Sequence, residues 1–341
     1  MIFGLLVVLV LVLFLPFSVQ FVEKNLELFL FFMGVIAVTV GGVYSGDLFL
    51  KAASDPIKIT IAVLLAGLLF KWFQTPLQKS IVGLSRKIPF RLFTGLVVIL
   101  LGLVSSIITA IIAALVLVLI VSSLKIERTS AIRFVVLSCF SIGLGASLTP
   151  IGEPLSTIAI SKLNEDFFFL LDLIGPQIFA TFLLLGIMTA LLVEPPKLNI
   201  IQGKDKSNKE PYEEIFLRAM KVYFFVMGLT LLGAGFEPLI NRYFIGLDPL
   251  LLYWLNMISA VLDNATLASA EISPAMDHFT IQSILLGLLF SGGMLIPGNI
   301  PNIIAAGKLQ ITSKEWAIVG VPLGLGIMLI YFFIMNWISG I

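Results

Sequence analysis

Charge is scarce in this sequence. Asp, Glu, Lys and Arg together make up 12 % of its 341 residues, about half the share found in an ordinary soluble domain. With 59 % apolar residues, the chain cannot coat itself in polar side chains, which excludes a soluble globular protein. The formal net charge is +1, so nothing points to nucleic acid or to an acidic partner. Histidine and cysteine each occur once, as His278 and Cys139. A disulfide within the chain is therefore excluded, and neither a histidine-based relay nor a transition-metal cluster is easy to build. Cys139 lies in an apolar stretch and reads as a packed core residue. The H-E-x-x-H, G-x-S-x-G and Walker patterns are missing, so neither an enzyme nor a nucleotide-driven pump is expected, and no cofactor is called for.

What is present is a series of apolar runs of bilayer-spanning length. They predict an all-α, multi-pass protein of the cytoplasmic membrane of prokaryotic type, with spans at about 2–19, 26–43, 58–73, 131–165, 170–193, 213–235, 279–313 and 315–338. The first run lacks a basic start and a small-residue cleavage site, and so reads as a retained helix. Two stretches, 90–124 and 249–277, fit no single crossing. The first is too long for one helix and short for two full crossings, and Ser105, Ser106 and Thr109 form its polar middle. Two half-length helices joined by a polar tip, a re-entrant hairpin, satisfy it; such a backbone survives only when buried in protein or lining a wet cavity. Lys79, Arg86, Lys87 and Arg91 precede it and Lys125, Arg128 and Arg133 follow it, which puts both flanks on the cytoplasmic side. The later spans then alternate, leaving 194–212 as a cytoplasmic linker and giving the second hairpin outside flanks at Asp248 and Asp277. Segment 74–89 alternates apolar and basic residues and is expected to lie along the cytoplasmic interface.

The two halves look alike. The segment from Gly145 through Pro150, Gly152 and Pro154 to Lys162-Leu163 resembles that from Gly292 through Pro297, Gly298 and Pro301 to Lys308-Leu309, if the prolines are matched and one gap is allowed. A hairpin candidate precedes each, with Ser105-Ser106 at one tip and Asp263-Asn264 at the other. The chain thus divides into N-terminal helices (1–57), a first inverted repeat (58–193), the linker (194–212) and a second inverted repeat (213–341), the plan of many secondary transporters. Pro150, Gly152 and Pro154, like Pro297, Gly298 and Pro301, should unwind their spans. Unwound turns expose carbonyls and half-helix ends that can hold ions. Glu153 sits in the first break and Asp263 at the second tip, and a carboxylate at membrane depth marks a functional site by default. Asn264 stands beside Asp263 at that tip, and Thr149, Ser156, Thr157, Thr266, Asn299 and Asn302 supply further oxygens, each of which alone reads as a helix hydrogen bond. For Glu271 two readings stay open, a proton-relay carboxylate or a side chain reaching the outer headgroups. His278, beside Asp277, reads as interfacial. Gly42/Gly46 and Gly320/Gly324 read as small-residue packing faces.

Ser147-Leu-Thr-Pro-Ile-Gly-Glu153 and Asp263-Asn264-Ala-Thr266 resemble motifs of the D-type sodium/proton antiporters of the ion transporter superfamily, and of a related family of cation transporters there. The likeness covers about 90–163 and 213–310. It implies inverted repeats with hairpins and broken helices, ion coupling at the midplane and often a homodimer. Two departures stand out: Ser105-Ser106 replaces a second Asp-Asn pair, and Glu153 replaces Asp. The resulting expectation is exchange of Na⁺ (or another monovalent cation) for H⁺ across the lipid bilayer. Asp263 and Glu153 would bind the cation or the proton, completed by Asn264, Thr149, Ser105, Ser106, Thr266, Asn299 and nearby carbonyls. Two alternatives remain: a Na⁺-coupled symporter of a small carboxylate or oxyanion, and a non-transporting membrane subunit.

Overall fold

The computed structural model describes residues 1–124, 126–196, 212–243, 247–257 and 264–339, and among them every regular element is a helix. In chain order these are α1 (Ile2–Ser18), α2 (Gln20–Lys24), α3 (Leu26–Gly41), α4 (Gly46–Lys87), α5 (Phe90–Ile108), α6 (Ala110–Leu124), α7 (Arg128–Ala146) and α8 (Pro154–Leu163). There follow α9 (Phe169–Leu192), α10 (Tyr212–Tyr243), α11 (Pro249–Leu255), α12 (Asn264–Glu271), α13 (His278–Gly292), α14 (Ile300–Leu309) and α15 (Ser313–Ser339). Runs of Leu, Ile, Val and Phe become helices because a helix satisfies its own backbone where water cannot. The ends carry ordinary stop and start signals. Ser45 accepts from the Leu48 amide (3.1 Å) ahead of α4, and Asp277 from the Thr280 amide (2.8 Å) ahead of α13. Gly42 takes the left-handed conformation after α3, where a Cβ is disfavoured.

Five described helices are long and apolar enough to cross a membrane: α5, α7, α9, and most of α10 and α15. The outer face suits lipid, with Phe3, Trp72, Ile107, Ile318 and Trp337 all exposed, whereas the core of α7 and α13 is buried almost all round. The helices of the two halves pair off in the same order. α5 lies on α7 as α11 lies on α13; α6 lies on α4 as α12 lies on α10; α9 and α15 cover α7 and α13. Contacts across the halves also match, with α14 against α6, α12 against α8, and α7 touching α13. Helix α3 crosses α10 at glycines: a Cβ on Gly34 would press on the Gly228 carbonyl, and one on Gly41 on the Gly235 carbonyl.

Several expectations change. The span 58–73 and the interfacial segment 74–89 are one helix, α4, of 42 residues; its charged residues do not interrupt it, because Lys and Arg are good helix formers. In 90–124 the first arm is not half-length, since α5 has 19 residues and α6 has 15, and they meet at Thr109. Gly42 and Gly46 form no packing face, since a Cβ at either would meet nothing within 4 Å. Gly320 and Gly324 do pack closely, both on Met294. Most of the linker, 197–211, and the tip 258–263 with Asp263 lie outside the described residues.

Candidate functional site

The span expected at 131–165 is interrupted between α7 and α8. Ser147 ends α7, the Leu148 amide donates to the Gly145 carbonyl (3.1 Å), and the Gly152 amide donates to the Thr149 carbonyl (3.1 Å). Glu153 is extended and precedes Pro154, the first residue of α8. Pro154 therefore starts a helix rather than unwinding one, as proline does where no amide donor is needed; the same holds for Pro301, near the start of α14. The second interruption has the same build. Met294 N donates to the Ser291 carbonyl (2.9 Å), Ile296–Gly298 form a short 3-10 turn, and an extended Asn299 leads into α14.

The breaks correspond residue for residue at an offset of 146, with no gap. Gly152 matches Gly298, and a Cβ on either would overlap the carbonyl at the end of its own preceding helix, Ala146 or Gly292. Glu153 matches Asn299, Ser156 matches Asn302, and the left-handed caps Asn164 and Gln310 match. Matching the prolines, as the sequence invites, misplaces the break by one residue: Pro150 stands opposite Ile296. The equivalence that matters is set by the glycine that must approach a helix end, not by the proline.

Polar side chains sew each break together. Ser156 Oγ donates to the Ser147 carbonyl (2.8 Å), and Asn302 Nδ2 donates to the carbonyls of Gly292 (3.0 Å) and Leu295 (2.9 Å). Thr157 Oγ1 reaches the Pro150 carbonyl (2.8 Å). The first hairpin is stitched to the first break: Ser105 Oγ donates to the Ile142 carbonyl (2.9 Å), Thr149 Oγ1 to the Ser106 carbonyl, and the Ala110 amide to the Gly152 carbonyl (3.2 Å). Ser106 Oγ stays on its own helix, bonded to the Leu103 carbonyl (2.8 Å). Thr109, between the hairpin arms, has φ 76, a costly value for a β-branched residue. At the second break, Asn264 is buried against Gly292, so the hairpin return arm begins where the helix ends. Thr266 lies one residue further along α12 than Ala265, and its side chain lies outside the described set.

The breaks are also brought to each other. A Cβ on Gly143 of α7 would strike the Asn299 carboxamide, Gly293 packs on Phe140, and the Cys139 thiol faces the Pro301 carbonyl (3.6 Å). Cys139 is the packed core residue expected. Glu153 is half-buried at its break. The carboxamide oxygens of Asn264 and Asn302 are buried and accept no hydrogen bond among the described residues. The Asn302 orientation is fixed, because both carbonyls it meets require its nitrogen. Among the described residues no three His, Cys, Asp or Glu side chains gather. A cation here would draw on carboxamides, hydroxyls and carbonyls beside any carboxylate.

Glu271, left open by the sequence, is only 4 % exposed and does not reach a surface. Its neighbour is Asn256, fully buried at the end of α11. The sequence reading did not single out Asn256; a lone Asn in the run 249–257 was the available signal. His278 opens α13, edge-on to Phe169.

Five helices long and apolar enough to cross a membrane, with two polar helix breaks in the core among them, have the build of a multi-pass membrane protein. The profile of the family described as a protein of unknown function (DUF1646) matches residues 2–338, and the chain belongs to that family. No curated protein matches it.

Proposed function

We propose that the protein is a secondary transporter that exchanges Na⁺ or another monovalent cation for H⁺. The observation that carries the reading is the meeting of two helix breaks at equivalent positions, with a carboxylate (Glu153) at one and a carboxamide (Asn299) at the other. The matched contacts of α4–α9 and α10–α15 support two inverted repeats, each with a hairpin and a broken helix. Asp263 immediately precedes Asn264 in sequence, and α12 packs on α8, which follows Glu153. In this reading the two carboxylates share one cavity. Burial favours the neutral acid and a bound cation favours the carboxylate, so cation and proton compete for one site. Alternating exposure of that site converts competition into exchange. Asn264, Asn299, Asn302, Thr149, Ser105 and turn carbonyls supply the remaining oxygens that a hard cation prefers.

A second reading, Na⁺-coupled uptake of a small carboxylate or oxyanion, is favoured by one feature. The first turns of α8 and α14 open from the two breaks, and helix N-termini attract anions. Glu153 opposes it by repulsion. Thermal stability of the purified protein separates the readings. Exchange predicts stabilisation by Na⁺ or Li⁺ over choline, stronger at high pH than at low pH and lost in Glu153→Gln. A cation effect equal at both pH values and retained in Glu153→Gln contradicts it, and stabilisation that needs an anion together with Na⁺ favours symport.

A further inference from the structure

We propose that Glu271 and Asn256 form a reversible proton-binding site, apart from the helix breaks, in which the Glu271 carboxyl carries the proton. Its role in transport rests on the exchange reading; the protonation itself does not. Glu271 is the last residue of α12 and is buried. The donor beside the carboxyl is the Asn256 amide group, and neither carboxyl oxygen has a well-formed hydrogen bond among the described residues. Asn256 beside it is held from two sides: its Nδ2 points to the Ile284 carbonyl (3.4 Å), and its own carbonyl accepts from Ser291 Oγ (2.8 Å). The Asn256 side-chain oxygen is also buried without a donor. The two Glu271 oxygens and the Ile284 carbonyl thus compete for the Asn256 amide group, and the Asn256 oxygen needs a donor of its own. A proton on the carboxyl supplies the missing donor and removes a buried, unpaired charge, which is destabilising.

Among the described residues no charged neighbour takes over that task. Of the ionisable groups on the helices packed against α12, Lys221 of α10 is paired with Glu27 (2.8 Å), and Tyr223 bonds the Ala53 carbonyl (2.9 Å). His278 of α13 packs on Phe169. Tyr212, Glu213, Glu237, Arg242 and Tyr243 of α10 and Lys162 of α8 are exposed, and Glu214 and Arg218 belong to the first two turns of α10. Tyr253 of α11 donates its hydroxyl to the Met328 carbonyl (2.8 Å).

The placement suits a waypoint. α12 runs from Asn264, at the second break, to Glu271, a separation of about 10 Å at 1.5 Å per residue. Beyond Glu271 the chain emerges at once, with Pro274 and Ala275 exposed. Glu271 accepts a proton arriving past this loop, becoming the neutral acid, and releases the same proton from the same oxygen, becoming the carboxylate.

Infrared spectra of the protein in lipid, recorded from about pH 5 to 9 on either side of neutrality, test this without any ion gradient. A protonated-carboxyl C=O component is expected at neutral pH in wild type and in Glu153→Gln, lost from the difference between wild type and Glu271→Gln, and shrinking as pH rises. Glu271→Asp, which keeps the group, should keep a displaced band, so a folding defect in the Gln variant cannot imitate the result. Spectra of Glu271→Gln identical to wild type at every pH would overturn the proposal, as would a Glu271 band that never changes with pH. Because no flux is read, a protein that failed to exchange cations would still show the band, and loss of the band would leave exchange at Glu153 standing.

Discussion

Replacing Asn302 by leucine removes two hydrogen bonds while roughly preserving side-chain volume. Asn302 is fully buried, and its nitrogen holds the carbonyls of Gly292 and Leu295 at 3.0 and 2.9 Å. These carbonyls have left their helical partners because the chain turns there, so leucine strands the Gly292 acceptor away from water and leaves the Leu295 carbonyl only the Gly298 amide (3.3 Å). Side-chain hydrogen bonds within membrane proteins contribute about 0.6 kcal/mol on average and about 1.7 at most, so two give roughly 1–3 kcal/mol. Ser156→Ala, at the equivalent place in the first break, removes the single bond to Ser147 and should cost roughly half as much. Unfolding in mixed micelles, followed by tryptophan fluorescence, reads the difference. Trp316 is a local reporter, being buried with its indole N–H on the Gly293 carbonyl (3.1 Å) inside the second break. If Asn302→Leu stays within about 0.5 kcal/mol of wild type, the range of an ordinary surface substitution, Asn302 does not hold the break and the argument fails.

Gly145→Ala drives a Cβ into the Gly102 carbonyl, a backbone atom that cannot yield, and should cost about 1–3 kcal/mol in the same assay. Gly143→Ala meets instead the end of the Asn299 side chain, so it should fold nearly normally and weaken cation binding; normal binding would show that Asn299 has no part in the site. Arg128 pairs with Glu315 through two bonds (2.7 and 3.0 Å) and caps the carbonyls of Leu309 and Gln310 at the end of α14. Both side chains are substantially exposed (49 % and 31 %), so a double-mutant cycle with Arg128→Ala and Glu315→Gln should give a coupling of about 0.5–1 kcal/mol that shrinks in high salt; a coupling unaffected by salt would contradict this. The Thr280 amide, above all, holds the Asp277 carboxyl below the usual carboxylate range. Its capping therefore stabilises above the unfolded pKa and is lost as pH falls through the lower folded value. Asp277→Ala should cost about 1 kcal/mol at neutral pH and progressively less in strong acid, checked by melting temperature against pH.

Much of this architecture is legible in the sequence because the membrane imposes few solutions. Apolar runs become helices, and Pro and Gly clusters mark where two of them stop. The interruptions near Pro150 and Pro297 are where the sequence puts them. The exact equivalence of the breaks was not legible, since it depends on Gly152 and Gly298 touching the ends of their preceding helices, a contact no periodicity reveals. The packing glycines of α3 and α10 were hidden for the same reason: Gly34 and Gly228 matter only because two helices cross there. Helix α4 outran its apolar window because charged residues with good helix propensity carry a helix beyond the lipid-facing part. Asn256 was passed over because a single Asn in an apolar run looks like any interhelical hydrogen bond until a buried carboxylate is placed beside it.

The central claim is exchange, and flux tests it most directly. The protein is reconstituted in liposomes with a trapped pH dye, and Na⁺, Li⁺ and K⁺ gradients are imposed in turn on wild type, Glu153→Gln and Asp263→Asn. Exchange predicts proton movement driven by at least one of these cations and abolished in either variant. Proton movement that never responds to a cation gradient, or that is unchanged when both carboxylates are neutralised, would contradict it.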